Sequence, residues 1–395
     1  MQAAPPFQGL RGLWVDAFGP GLKTPAQVST LVRDAAALHI NVLFAQVVRR
    51  GDCYCNLASV PRTEDPDVPA GFDPLAALVE AAHAAGIQVH AWMIPTAVLN
   101  LSALPTPQDP THVINAHGSS AAGDDNWLMQ RADGETRSGD DVSLDLGNPA
   151  AAGYMREMVL SIVRNYAVDG VQLDRVRYPD PVAGVPDWGY NPAAVARYQA
   201  ESGTDRMPAP GDPAWTAWRR QQVTDFVGSV YAGVKAIRPA VWVSAATITY
   251  GPGPRSLEGF RASRTYSEVL QDWPGWLQAG KLDLVVLMNY KRESSPSQAG
   301  WFSGWNRFAR TVRGRGRVAV GTAMYLNDLP GSLRQLSEVA DSGLDGWVGY
   351  SYRTPDRLTE SGVHTAPQVW ARWAAQVVDP SGRFAQNAPW GQPQP

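Results

Sequence analysis

The chain has 395 residues, 44% of them hydrophobic and 18% charged, a composition that supports a large buried core and excludes disorder as the default state. Its net charge of −3 provides no basic field for a phosphate backbone, which argues against nucleic acid as a partner. There is no run of about 18 apolar residues, so no transmembrane helix is expected.

The opening MQAAPPFQGLRG reaches the first strand signal almost at once, as in a mature exported protein that has lost a signal peptide and gained an initiator Met. Residues 1–8 are therefore expected to be a short extension, and the location to be secreted or cell-envelope. Strand-like apolar runs follow at 10–17, 41–48, 87–94, 170–173, 241–248, 282–290, 318–325 and 346–352. Helical patterns lie between them at 24–38, 72–85, 148–166, 214–237, 265–279, 302–312, 331–342 and 367–377. Proline at the first helical position marks three starts, Thr24-Pro25, Asp73-Pro74 and Asn148-Pro149, and Gly86 and Gly343 mark two stops.

Eight alternating units predict an α/β fold closed as a (β/α)8 TIM barrel. A doubly wound open sheet would want G-x-G-x-x-G after the first strand, and DAFGPGLKT is not that pattern. The barrel is expected to be a single catalytic domain over 9–380, followed by a loose Pro- and Gln-rich tail over 381–395. Two connections are long, 95–147 after the third strand and 179–212 after the fourth. Both leave strand C-terminal ends, the side on which barrel enzymes build their sites, so Trp127, Trp188 and Tyr190 are candidates to line one. The only cysteines, Cys53 and Cys55, form a Cys-x-Cys pair that rarely bridges, so free thiols are expected.

Strand parity nominates the site. With Leu13 and Val15 facing the helices, Trp14 and Asp16 face the lumen; His90 and Trp92 do so in the third strand, Gln172 and Asp174 in the fourth, Met288 and Tyr290 in the sixth. The fourth strand ends in DGVQLDRVRYPD, which aims Asp174 into the barrel mouth with Arg175, Arg177 and Tyr178 at the rim. An ion pair sealing the strand end is one reading of Asp174. A site is the other, supported by acidic and aromatic residues at several strand ends, among them Asp16, Asn289, Tyr290, Glu293, Tyr325 and Tyr352. The six histidines form no H-x-H or H-E-x-x-H, so no metal or other cofactor is expected, and neither a P-loop nor G-x-S-x-G occurs. Carboxylate chemistry between aromatic walls remains, which is the equipment of a glycoside hydrolase. Fifteen Trp residues fit sugar stacking as well as they fit core packing.

The stretches LRGLWVDAF, NVLFAQVVRRGD, DPLAALVEAAHAAGIQVHAWMIP, LDLGNPAAAGYMREMVLSIVRNYAVDGVQLDRVRYP and LDLVVLMNY together resemble the family 10 glycosylhydrolase-like TIM barrels. These are related to the C-terminal hydrolase domain of poly-N-acetylglucosamine deacetylase. The resemblance runs over roughly residues 9–355. It implies that Asp174 is the first Asp of the family's Asp-Asp-(aromatic)-x-Tyr-Pro ending, closed by Tyr178 and Pro179. It also aligns Arg49, Gly51 and Asp52 with the loop after the second strand, and His90, Ala91 and Trp92 with an HAW ending. The chain departs at Arg175, where the family often has a second Asp, and at Val176, where it has an aromatic residue. The resemblance thus implies a monomeric glycoside hydrolase acting on a polysaccharide, with an amino-sugar exopolysaccharide as the suggested substrate. Asp174 would be catalytic, with Asp16 or Glu293 as the second carboxylate. Trp14, Arg49, His90, Trp92, Arg175, Arg177, Tyr178, Asn289, Tyr290, Tyr325 and Tyr352 would bind sugar. A guanidinium of Arg175 against Asp174 would favour an ionised role for it; Arg175 turned away would favour an acid. The alternatives are a non-catalytic carbohydrate-binding barrel, supported by Arg175, and a structural barrel plugged by the 95–147 loop.

Overall fold

The computed structural model describes residues 7–102, 105–378, 384 and 390–393. Most of the expected extension at 1–8 and of the expected tail at 381–395 lies outside these. The strands, in chain order, are β1 (Leu10–Val15), β2 (Val42–Val48), β3 (Gln88–Met93), β4 (Ala97–Asn100), β5 (Arg137–Ser138), β6 (Asp141–Ser143), β7 (Gly170–Leu173), β8 (Trp242–Ile248), β9 (Leu284–Met288), β10 (Arg317–Ala323) and β11 (Gly346–Tyr350). Eight of them close a parallel barrel in the order β1-β2-β3-β7-β8-β9-β10-β11, and β4, β6 and β5 form a separate antiparallel sheet. The barrel is a TIM barrel; seven of its eight strands fall within the apolar runs of the sequence, and β10 starts one residue before its run, at Arg317.

Alternation divides each strand between two cores. Leu13, Val15, Val89, Ala91, Val171 and Leu173 join the outer core beneath the helices. Trp14, Phe44, Trp92, Trp242, Leu284, Val286 and Val348 fill the lumen. The lumen is spanned near its top by the Trp14 indole, whose Nε1 donates to Gln172 Oε1 at 2.6 Å. Gly321 makes room for that ring: a Cβ there would lie 2.5 Å from it. At the opposite end the described part of the tail closes the barrel. Trp390 packs on Trp242 with ring centroids 5.6 Å apart, and Trp242 Nε1 donates to the Gly391 carbonyl at 3.0 Å.

The helices start as expected, with Pro at N1 or N2 behind side-chain caps from Thr24, Asp73 and Asn148. The helix expected at 265–279 is two short ones, Arg264–Ser267 and Trp273–Gln278, broken where Leu270 takes a left-handed φ of 60°. The helix expected at 302–312 begins earlier and runs Pro296–Val312. The 95–147 connection holds the small sheet, and 179–212 holds an unforeseen helix, Pro192–Ser202, capped by Asn191.

The expectation of free thiols is overturned. Cys53 and Cys55 form a disulfide. The turn brings their Cα atoms to 5.0 Å, within bridging range, and both are buried. Tyr54 between them turns inward and donates to Asp65 Oδ2 at 2.7 Å.

Gly321→Ala should force the Trp14 indole out of place. Overpacking of this kind costs about 1–3 kcal/mol, to be read as a lower midpoint in denaturant with unchanged slope. An unaltered midpoint would mean that Trp14 does not depend on the space left by Gly321.

Candidate active site

At the end of β7 the Asp174 side chain turns into the barrel mouth. Its Oδ2 accepts from Trp92 Nε1 at 3.0 Å, and its Oδ1 accepts from the backbone N–H of Arg175 at 2.7 Å. That second bond accompanies a left-handed φ of 52° at Arg175, which sends the guanidinium sideways to Asp141 on the small sheet. Burial pushes the Asp174 carboxyl above the usual carboxylate range; the positive charges of Arg175 and Arg177 and the two hydrogen bonds oppose this without cancelling it. Asp174 is therefore a buried acid beside an Arg whose side chain is engaged elsewhere.

The cleft over Asp174 has a volume of about 380 Å3. Its walls are aromatic. Tyr290 and Tyr350 lie 5.4 Å apart between ring centroids, Tyr325 and Tyr350 5.9 Å, and Trp14 underlies Tyr350 at 5.9 Å. Among the described residues none hydrogen-bonds the hydroxyls of Tyr290, Tyr325 or Tyr350, which leaves three phenols for a ligand. Lys291 closes one side, and its Nζ donates to the Thr249 carbonyl at 2.6 Å. Burial lowers its pKa to about 8.

The structure brings together Trp14, Trp92, Asp174, Arg175, Arg177, Tyr290 and Tyr325 of the residues expected from sequence. It separates the rest. His90 faces the lumen but lies below the cleft, fully buried with its ring 5.0 Å from Phe44. Burial lowers its pKa to about 4, so it is neutral at pH 7. Arg49 lies 4.1 Å above the ring of Phe18 and supports that cleft residue from behind. Asn289 ties the backbone at Phe302 and the side chain of Asn306, at 3.0 and 3.1 Å. Tyr178 is buried against Arg219 and the Asp145 carboxyl. Tyr352 donates to Asp34 at 2.8 Å and lines a different groove, between the helices Pro25–Ala37 and Ala366–Val377.

Neither expected second carboxylate lines the cleft. Both oxygens of Asp16 take the Arg353 Nε, at 2.9 and 3.1 Å, and Glu293 pairs with Arg334 at 3.1 Å. The loop aromatics also pack elsewhere: Trp127 stacks on His117, Trp188 lies under Arg131, and Tyr190 rests on Trp215. Sequence reasoning missed Tyr350, Lys291, Phe18, Gln46 and Tyr250 as lining residues. Tyr350 was within reach of it, because parity along β11 turns Val348 and Tyr350 the same way. Among the described residues no group of three or more His, Cys, Asp or Glu could hold a metal ion.

Residues 9–321 match the family model described as Glycosyl hydrolase-like 10. Among curated proteins the chain is similar to Glycosyl hydrolase YngK of Bacillus subtilis (strain 168), 23% identical over 301 residues that make up 71% of this chain and 50% of that protein. It is also similar to Glycosyl hydrolase DigH of Escherichia coli (strain K12), 26% identical over 263 residues, 65% of this chain and 54% of that protein. The chain spans about half the length of these curated relatives. Among solved structures, the PgaB (BpsB) glycoside hydrolase domain from Bordetella bronchiseptica shares the fold, with a TM-score of 0.65 at 15% identity over 92% of this chain and 98% of that one.

A second buried carboxyl lies beside Tyr178. Asp145 accepts from the N–H of Gly147 at 2.8 Å, and burial raises its pKa to about 6. Between the ordinary 3.8 and about 6 the folded protein holds a proton that the unfolded chain has released, so this contribution to stability is lost as pH rises. Relative to Asp145→Asn, which does not titrate there, the wild type should lose about 2–3 kcal/mol between pH 3.5 and pH 7. Urea unfolding of both proteins across that range measures it. A constant difference would show an unperturbed carboxyl.

Proposed function

We propose, from the premise that this chain belongs to the glycosyl hydrolase-like 10 family, that it is a glycoside hydrolase in which Asp174 is the general acid. The observation that carries this reading is the Asp174 carboxyl, buried among aromatic rings with the Arg175 guanidinium turned away to Asp141. A carboxyl with a raised pKa keeps its proton at higher pH and can deliver it to a glycosidic oxygen as the C–O bond breaks. Trp92 Nε1 and the Arg175 N–H then receive the carboxylate that is left. The rings of Tyr290 and Tyr350 offer faces for sugar C–H groups and π density beside the positive charge that develops on the ring carbon. The free phenol hydroxyls serve the sugar's polar edge.

The substrate in this reading is a polysaccharide, with an amino-sugar exopolysaccharide suggested by the family resemblance, and the enzyme works as a monomer of one catalytic barrel over 9–380. The buried Cys53–Cys55 bridge supports a secreted or cell-envelope location, because disulfides persist in oxidising compartments. A second reading, a sugar-binding barrel without turnover, is favoured by one observation: among the described residues Asp174 is the single carboxylate lining the aromatic cleft.

Turnover of a polysaccharide by the wild type separates the two readings. If Asp174 is the acid, Asp174→Asn should bind the same glycan and turn over at least about 100-fold more slowly. The wild-type rate should fall on the alkaline side, as pH rises through the raised pKa of Asp174, and this limb should lie above the ordinary carboxylate range. Near-normal turnover by a folded Asp174→Asn protein would remove Asp174 from the chemistry.

A further inference from the structure

Beside the aromatic cleft lies a second, polar pocket of about 170 Å3. The two share a wall made by Arg175 and Arg177. The far wall comes from the small sheet: Ser138 on β5, and Asp141 and Ser143 on β6. Asp180 closes it below the strand end. The sheet is held against the barrel by the Arg175–Asp141 ion pair and by the hydrogen bond from Thr96 Oγ1 to the Arg175 carbonyl at 3.1 Å.

The polar groups here divide into two sets. The charged ones are matched: Arg175 with Asp141, and Arg177 Nη1 with Asp180 Oδ2 at 3.1 Å. Of the neutral ones, Thr96 Oγ1 and the Tyr178 hydroxyl are engaged, with the Arg175 carbonyl and Asp145, and the two serines are free. Among the described residues no partner engages Ser138 Oγ or Ser143 Oγ, and Arg177 Nη2 has none either. A pocket with balanced charge and unengaged hydroxyls and N–H groups suits neither an anion nor a cation. It suits a neutral molecule rich in hydroxyls.

We propose that this pocket is a glycan subsite next to Asp174, and that it takes an uncharged sugar unit through Ser138, Ser143 and Arg177. The inference rests on the reading of the neighbouring cleft as a glycoside hydrolase site and deepens it. A glycan seated over Asp174 extends past the Arg175–Arg177 wall and places its next unit against the small sheet. The protein therefore selects oligomers longer than the aromatic cleft alone can hold, and it selects neutrality at the added unit while the aromatic cleft chooses by ring shape.

The test is a length series measured by calorimetric binding and by product analysis. The probes are neutral oligomers of N-acetylglucosamine, of glucose and of mannose, two to six units long, with oligogalacturonate and glucosamine oligomers as the charged comparisons. For at least one neutral series, one added unit should raise wild-type affinity tenfold or more. Ser143→Trp, which fills the pocket, should lose most of that increment. Ser138→Trp, on the exposed two-residue edge strand, should do the same and covers the case in which Ser143→Trp fails to fold. A length increment equal in wild type and in both folded variants would overturn the subsite while leaving the hydrolase reading standing. A larger increment for a charged series would overturn its neutrality. Failure of the wild type to bind or cleave any of the oligomers would overturn the hydrolase reading and the subsite with it.

Discussion

A carboxyl group taken out of water needs donors, and the fold is arranged to supply two to Asp174. One comes from Trp92, on the strand that pairs directly with β7. The other comes from the next peptide in the chain, where Arg175 takes a left-handed conformation unfavourable for a side chain of its size. This turn is central to the site. It gives Asp174 a backbone N–H, and it sends the Arg175 side chain across to Asp141, so that one residue both seats the carboxyl and anchors the small sheet. Both hydrogen bonds favour the ionised form of Asp174, yet burial outweighs them. The balance leaves an acid that can give up its proton and be received by the same two donors.

The barrel itself was legible in the sequence because its signals are local and repeated. Apolar runs give the eight strands, Pro at the first helical position gives three helix starts, and period-two alternation assigns Trp14, Trp92, Gln172 and Asp174 to the lumen. Parity states which way a residue faces but not how high it sits. His90 shares its face with Trp92 and lies one layer lower, sealed under Phe44. Residues just past the strand ends were harder still, because parity ends with the strand. Tyr290 and Tyr325 enter the cleft, whereas Asn289 and Tyr352 turn back to serve Asn306 and Asp34.

Composition misled in two places. Fifteen Trp residues suggested either sugar stacking or packing, and packing takes most of them: only Trp14 and Trp92 reach the cleft. Large clusters such as Trp273, Trp305 and Phe260 instead fill the space between helices and barrel, where their apolar area is worth most. The cysteine pair was read by the rarity of its spacing. What decides bridging is the local path of the chain, and here a buried turn held by Tyr54 and Asp65 brings the two residues within reach.

The long connection after β3 was the least legible part, and it shapes the site most. Its three short strands carry no periodicity strong enough to read, yet they set Asp141 against Arg175, the residue that follows Asp174. Among the described residues the aromatic cleft holds one carboxyl, its pKa raised by burial, while the paired charges lie in the neighbouring polar pocket. Burial raises the pKa of Asp174 although the charge of Arg175, held by Asp141, already opposes it; a guanidinium turned from Asp141 onto Asp174 would favour the carboxylate further. The small sheet thus fixes where the Arg175 charge lies beside a strand it does not pair with.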